Sequence, residues 1–298
     1  MTYTLRISTA LAASVLAVLA PTPSEAAIAY TIEGGLALVR FDTASPGMAT
    51  TIGNFSGAVS SVDGIDFRVS NGLLYGYSFL DNAVVTIDVN SAVTSWASTP
   101  GTASSDFILG MDFNPVVDRL RLVNASTENL RINVGTGATT VDSLLTYAVG
   151  DAHFGLSPQI GDVAYTNNDN NPGTGTQLYY IDFGTNSLAT TSNPNGGVLN
   201  TVGALGVDAS NLLGFDIFTD PFTGTNTAFA ILDDGAASRF YTINLATGAA
   251  TLVCDLGAFG VFGLAVQPAA VPEPGTALAG LAAFGACGAT RLRRRRKG

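Results

Sequence analysis

The sequence predicts an all-β fold, a five-bladed β-propeller closed by its N- and C-terminal strands. Three observations point there: a composition of turn and strand formers, two short motifs that each recur five times, and the phase of those motifs relative to the chain ends. Only 12% of the 298 residues are charged, 34 are Gly, and the single Lys stands at position 297. Helices of a soluble enzyme would be filled with Glu, Lys, Arg and Gln, so this composition argues for many short strands joined by turns.

The first motif is a Gly that opens a short apolar strand. It occurs as Gly64-Ile65-Asp66-Phe67, Gly110-Met111-Asp112-Phe113, Gly161-Asp162-Val163-Ala164, Gly214-Phe215-Asp216-Ile217 and Gly263-Leu264-Ala265-Val266, at spacings of 46, 51, 53 and 49. The second ends a strand with an aromatic residue or Ile followed by Asp or Asn: Phe41-Asp42, Ile87-Asp88, Ile132-Asn133, Ile181-Asp182 and Ile243-Asn244. An Asp or Asn there accepts from the backbone ahead and starts the turn. The second motif appears at position 42 before any copy of the first, and the copy of the first at 263 has none of the second after it. The chain therefore starts and ends within a repeat, as expected if its ends share a blade. A two-sheet sandwich, the alternative, would not require ends out of phase.

Taken in order, residues 1–26 read as a secretory signal peptide: Arg6, an apolar stretch over 7–20, Pro21 and Pro23, then a cut after Ala26. The propeller follows over 27–268. In its first blade, strands are expected at 64–70, 73–78, 83–88 and 92–97. Later blades begin near 110, 161 and 214, and the fifth combines 263–268 with 28–52. Residues 167–173 replace what should be a second strand in the third blade, and 141–159 form a long connection carrying His153. A tail spans 269–298: Pro272-Glu273-Pro274, sixteen uncharged residues over 275–290, then six basic residues between Arg291 and Lys297. As a helix the apolar part would span about 24 Å, which thinning of the bilayer and snorkelling arginines accommodate. The basic cluster would hold the C-terminus in the cytoplasm, with the domain across the inner membrane.

The tail resembles the PEP-CTERM sorting signal of Gram-negative bacteria in Pro272, Glu273 and Pro274, the short transmembrane helix, and the cluster containing Arg293, Arg294, Arg295 and Arg296. That resemblance implies exosortase as a partner, transient membrane anchoring, and release to the cell surface or an exopolysaccharide matrix. Within the domain, Gly110-Met111-Asp112-Phe113-Asn114-Pro115 through Val123, with Asn129-Leu130-Arg131-Ile132-Asn133, resembles the bacterial secreted family called domain of unknown function 4394. So do Glu33-Gly34-Gly35-Leu36 and Ala164-Tyr165-Thr166-Asn167. The family resemblance supports the fold and implies no activity.

Between 27 and 270 six arginines face 21 carboxylates, a net charge of −15. A domain this acidic repels nucleic acid. One His and two Cys leave a zinc site without its usual ligands, and no nucleophile motif accompanies His153, so the expectation is a protein that is not an enzyme. Cys254 reads as a small buried hydrophobe.

Arg119, Arg121 and Arg131 are three of the domain's six arginines within thirteen residues. With Asp112 and Asp118 they are the candidate ligand-binding residues. They read either as a guanidinium fork for a carboxylate, sulfate or uronic acid, or as an internal ion-pair network with Asp112, Asp118 and Asp142. Asp66, Asp112 and Asp216 recur at one repeat position, with Asp162 one place earlier. Two roles suit them: ligands for calcium at one mouth of the central channel, or caps that accept backbone N–H bonds at the strand starts. No other cofactor is implied.

The function expected is an exported binding or structural module associated with exopolysaccharide. The alternative is a divalent-metal-dependent hydrolase or lyase acting on extracellular sugars or lactones at the channel.

Overall fold

A computed structural model of the chain describes residues 26–269, apart from residues 170, 172, 212, 258 and 259. The signal peptide up to residue 25 and the tail with Pro272, Glu273, Pro274 and Arg293 to Arg296 lie outside the described residues. Among the described residues, no helix is long and apolar enough to cross a membrane.

Five antiparallel sheets form the five blades of a propeller. The first blade is Gly64–Arg68, Leu73–Ser78, Ala83–Ile87 and Val93–Ser98, and the second is Leu109–Asn114, Arg119–Asn124, Asn129–Ile132 and Thr139–Val141. The third is Ile160–Tyr165, Leu178–Asp182, Ser187–Thr191 and Val198–Ala204, and the fourth is Leu213–Thr219, Asn226–Asp233, Ser238–Ile243 and Ala250–Gly257. In the fifth, the C-terminal strand Val261–Val266 pairs with the N-terminal strand Ile28–Glu33, followed by Ala37–Asp42 and Thr50–Asn54. The out-of-phase ends thus meet in one sheet, with Ala29 opposite Val266.

The turn-starting role of the second motif holds at all five copies. Asp42, Asp88, Asn133, Asp182 and Asn244 each accept, through Oδ1, the backbone N–H two residues on, at 2.8–3.0 Å. Four of these copies end the third strand of a blade, but Ile181-Asp182 ends the second strand of the third blade. The loop at 167–173 accounts for the slip. It does not replace the second strand, as the sequence suggested; it delays that strand to Leu178–Asp182.

The blade connections add two further strands. Ser56–Gly57 and Thr146–Tyr147 pair in parallel with the outer strands of the first and third blades. The second of these lies inside the expected long connection 141–159, whose His153 contacts Thr201 Oγ1 through Nδ1 at 3.0 Å and packs edge-on against Tyr147. Cys254 is half-exposed on the outermost strand of the fourth blade, not buried: that strand carries little apolar cover, and its thiol donates to the Asp255 carbonyl.

Apolar packing is divided among the joints between blades. Ile32, Leu38, Ile65, Leu74 and Val85 fill the fifth-to-first joint, Tyr77, Leu109, Met111 and Leu122 the next, and Val123, Tyr147, Val163 and Tyr180 the second-to-third. Ile181, Leu213, Phe215 and Ala230 close the third-to-fourth joint, and Phe41, Phe229, Phe240 and Leu264 the fourth-to-fifth. Each blade buries both faces of its inner strand, which is why those strands read as continuous apolar runs.

Candidate functional site: a ring of buried carboxylates and an arginine pocket

The first motif places one side chain per blade at the same level of the ring. Its glycine permits the approach: a Cβ on Gly110 would lie 2.3 Å from Cα of Asp162, and one on Gly214 would lie 2.6 Å from the carbonyl carbon of Gly263. Two residues beyond the glycine, the inner strands carry Asp66, Asp112, Asp216 and Ala265. In the third blade a bulge between Ile160 and Asp162 shifts the motif, so that Ala164 takes this level and Asp162 falls one level away, against Gly110.

Each carboxylate ties its blade to the next. Asp66 Oδ2 accepts from Phe113 N at 2.7 Å, Asp112 Oδ2 from Tyr165 N at 3.1 Å, Asp162 Oδ2 from Phe215 N at 2.8 Å, and Asp216 Oδ2 from Val266 N at 2.5 Å. These bonds stitch four of the five joints. At the fifth, Ala265 has no carboxylate to offer, and Val62 N donates to the Gly35 carbonyl beside the apolar core already described. The sequence-based alternative, a carboxylate that accepts backbone N–H groups, therefore holds, but chiefly across blades.

The two alanines decide where the second carboxylate oxygens go. Ala265 makes no claim on Phe67 N, so Asp66 Oδ1 accepts from it at 2.6 Å; Ala164 likewise leaves Ile217 N to Asp216 Oδ1, also at 2.6 Å. Asp112 has no such donor, because Phe113 N is already held by Asp66. Asp112 Oδ1 is fully buried and has no hydrogen-bond partner among the described residues.

Asp66, Asp112 and Asp216 are 4%, 1% and 1% exposed, and each offers an oxygen within 4.8 Å of the others. Their burial puts them at a closed level of the ring and not at an open channel mouth. Burial, and for Asp66 and Asp112 mutual repulsion with the neighbouring carboxylates, holds their carboxyls well above the usual range. Asp216 is pushed up to about 7 by burial, and Asp162 is raised by burial as well. Chemically, three convergent hard oxygens suit a cation such as calcium.

The arginine group lies at the joint of the second and third blades. Arg119 and Arg121 alternate along one strand, and Arg131 stands opposite Arg121 on the next. Arg121 is 2% exposed, its guanidinium engaged inside the protein. Nε donates to the Tyr165 hydroxyl at 2.8 Å, Nη2 to Asn195 Oδ1 at 2.7 Å, and Nη1 to Asn129 Oδ1 and Asp142 Oδ2. Arg131 grips the same Asp142 carboxylate with Nε and Nη2 at 2.6 and 2.8 Å, and the contact raises the guanidinium's pKa further.

Of the anticipated partners only Asp142 pairs with these arginines. Asp112, directly opposite Arg121 in the ladder, forms no ion pair with it, and Asp118 pairs with Arg68 of the first blade at 2.5 Å. Arg119 reaches only the backbone carbonyls of Val117 and Asp118 among the described residues. Together the three arginines line a cavity of about 370 Å³ with Tyr165, Pro194 and Asn195. The short helix Pro194–Gly196, which covers Arg121, carried no signal in the sequence that would have linked it to the second blade.

A family model for a domain of unknown function, DUF4394, matches residues 37–265. The chain belongs to this family. The DUF4394 match spans all five copies of the second motif and every residue of the carboxylate ring. No curated protein matches the chain. Among solved structures, it is similar to a chain of a nidogen/laminin complex at 10% identity and a TM-score of 0.47, covering 80% of this chain and 98% of that one. It is also similar to TolB from Acinetobacter baumannii at 14% identity and a TM-score of 0.43, covering 82% and 67%. The Dos1 propeller is similar at 14% identity and a TM-score of 0.40, covering 76% and 59%.

Proposed function

We propose that the chain is an exported, non-enzymatic propeller that binds an acidic ligand, such as the uronic acids of an exopolysaccharide, at the Arg119, Arg121 and Arg131 pocket. One observation carries this reading: Arg121 and Arg131 share a single carboxylate, Asp142, and Arg119 contacts none directly. The pocket is thereby locally positive within a domain of net charge −15 between residues 27 and 270. A fixed excess of guanidinium over carboxylate in a cleft attracts anions, and Arg121 and Asp142 hold the arrangement rigid.

Export and sorting belong to the same proposal. A signal peptide is removed after Ala26, and exosortase recognises Pro272, Glu273 and Pro274 and releases the protein from its transient membrane helix at the cell surface. The reading is supported by the ring residues just inside the two cuts, where the Ala27 N–H bonds to Thr43 and the Gln267 N–H to the Ile28 carbonyl. The hydrolase or lyase alternative would require the ring carboxylates to reach a substrate. At 1–4% exposure for Asp66, Asp112 and Asp216, their burial supports the non-catalytic reading instead.

Retention of the protein on an immobilised polyuronate, measured against salt, tests the binding. Replacing Arg119 with Gln is expected to weaken retention and flatten its salt dependence without changing the melting temperature. Wild-type protein that elutes at low salt with no retention removes the binding proposal. Mass spectrometry of the mature protein from cells with and without exosortase tests sorting, which fails if Arg291 to Lys297 persist in the wild type.

A further inference from the structure

We infer that the closed level of the ring is a binding site for one hard cation of the calcium class, with Asp66, Asp112 and Asp216 as its protein ligands and Asp112 Oδ1 as the oxygen dedicated to it. The inference is independent of what the arginine pocket holds.

Two observations carry it together. The three side chains converge, each with an oxygen within 4.8 Å of the others. Three oxygens that far apart lie at most about 2.8 Å from a common centre, close to the roughly 2.3–2.6 Å of a calcium–oxygen bond, so a small side-chain adjustment brings all three onto one ion. The second observation is Asp112 Oδ1, buried and without a donor. A charged oxygen in that position loses its hydration and gains nothing in return unless a cation or a proton replaces the water.

The pattern around the ring explains why the orphan lies at Asp112. Five blades offer five N–H groups at this level, and the order Asp, Asp, Ala, Asp, Ala gives Asp66 and Asp216 two of them each and Asp112 only one. The remaining lone pairs of Asp66 and Asp216 and the whole of Asp112 Oδ1 are left for a ligand at the axis. Three carboxylates with Asp162 one level away and no ion pair to an arginine among the described residues suit a dication better than a monovalent ion, because the negative charges repel one another at low dielectric. Hard carboxylate oxygens with no His or Cys among them select calcium over transition metals.

Enclosure sets how the ion would behave. With the ligands sealed from solvent, it enters as the ring closes and leaves only when the ring opens, so it acts as a structural tie among the first, second and fourth blades.

Protein purified without chelator is to be analysed for bound elements, then unfolded in denaturant with a chelator, refolded without metal or with calcium, magnesium or sodium chloride, and melted in each case. The expected results are about one calcium per chain and a melting temperature raised by calcium more than by magnesium or sodium. Asp112→Asn, which keeps the shape and removes the charge, is expected to lose the bound calcium and at least about tenfold in affinity. Asp220→Asn, at a half-exposed turn acid outside the ring, is expected to retain both. No bound calcium together with a melting temperature indifferent to all three salts overturns the inference and leaves shared protons to neutralise the cluster. A response to magnesium but not calcium overturns it as well, as does a calcium response in Asp112→Asn equal to that of the wild type. Should Asp112→Asn not fold, element content and salt response of the wild type still decide the matter.

Discussion

Gly110 and Asp162, fifty-two positions apart in the sequence, touch backbone to backbone: a methyl group on Gly110 would fall 2.3 Å from Cα of Asp162 and 2.5 Å from its carboxylate. The contact joins the second and third blades at the place where the repeat is irregular, because the bulge before Asp162 brings that residue into the glycine level of the ring. Gly110→Ala is therefore expected to destabilise by about 3 kcal/mol or more, since backbone and not a flexible side chain must yield. Gly101→Ala, whose nearest neighbour would lie at 3.8 Å, is the control and is expected to change stability by less than about 0.5 kcal/mol. Chemical denaturation of the two variants checks the difference.

Arg121 and Arg119 should part company on substitution. Arg121→Gln removes the bonds to Tyr165, Asn195 and Asp142 from a side chain 2% exposed, and a loss of about 3–5 kcal/mol is expected. Arg119→Gln gives up only contacts to nearby carbonyls and is expected to lose less than about 1 kcal/mol. Equal stability of the two variants in urea would show that Arg121 is not the internal strut its contacts describe.

The ion pair between Arg68 and Asp118 makes stability depend on acid. The guanidinium holds the Asp118 carboxyl below its usual value, so the contribution is present above the unfolded value, near pH 4, and is lost as pH falls through the lower folded one. Asp118→Asn tests this well, because position 118 has a φ of +51°, which Asn tolerates. The wild type is expected to melt slightly higher than the variant at neutral pH, by about 1 kcal/mol or less for so exposed a pair. Once the pH is below the folded value the gap is expected to close.

Ring closure by the C-terminal strand gives a fourth prediction. A chain ending after residue 269 keeps Val261–Val266 opposite Ile28–Glu33, whereas one ending at 260 exposes the apolar edge of Ala29, Tyr30 and Ile32. The longer chain is expected to unfold in one cooperative transition and the shorter to show a broad, early one by circular dichroism.

The fold was legible because its repeat is dictated by local chemistry. The Asp and Asn turn starters act over two residues, the glycines mark close strand approach, and the phase of both motifs told which blade the ends share. What escaped was decided by contacts between blades. Nothing near Gly161 announces the bulge that moves Asp162 off the level of Asp112, and nothing in the run of arginines reveals that Pro194 and Asn195 cover Arg121. Convergence of the recurrent Asp side chains was likewise open in the sequence, since the same repetition serves a strand cap or a shared ligand. Only the positions of Ala164 and Ala265 in the ring separate the partnered oxygens from the one that is not.

The fifth blade, made from both ends of the propeller, also orders events in time. Ile28–Glu33 is among the first strands to be made and Val261–Val266 the last, with about 230 residues between the Thr31 hydroxyl and the Gly263 carbonyl it binds. Bringing ends so distant together costs about 5 kcal/mol of chain entropy, so the hairpins within the other blades form well before this pair. Until then an apolar edge waits without its partner, and a growing chain must be kept from pairing with its neighbours. The late strand brings the Val266 N–H to the waiting Asp216 carboxylate on one side and meets the first blade by apolar packing on the other. Chaperone demand should therefore track the delay before the last forty residues arrive, and slowing synthesis there should cost more soluble protein than slowing it anywhere earlier.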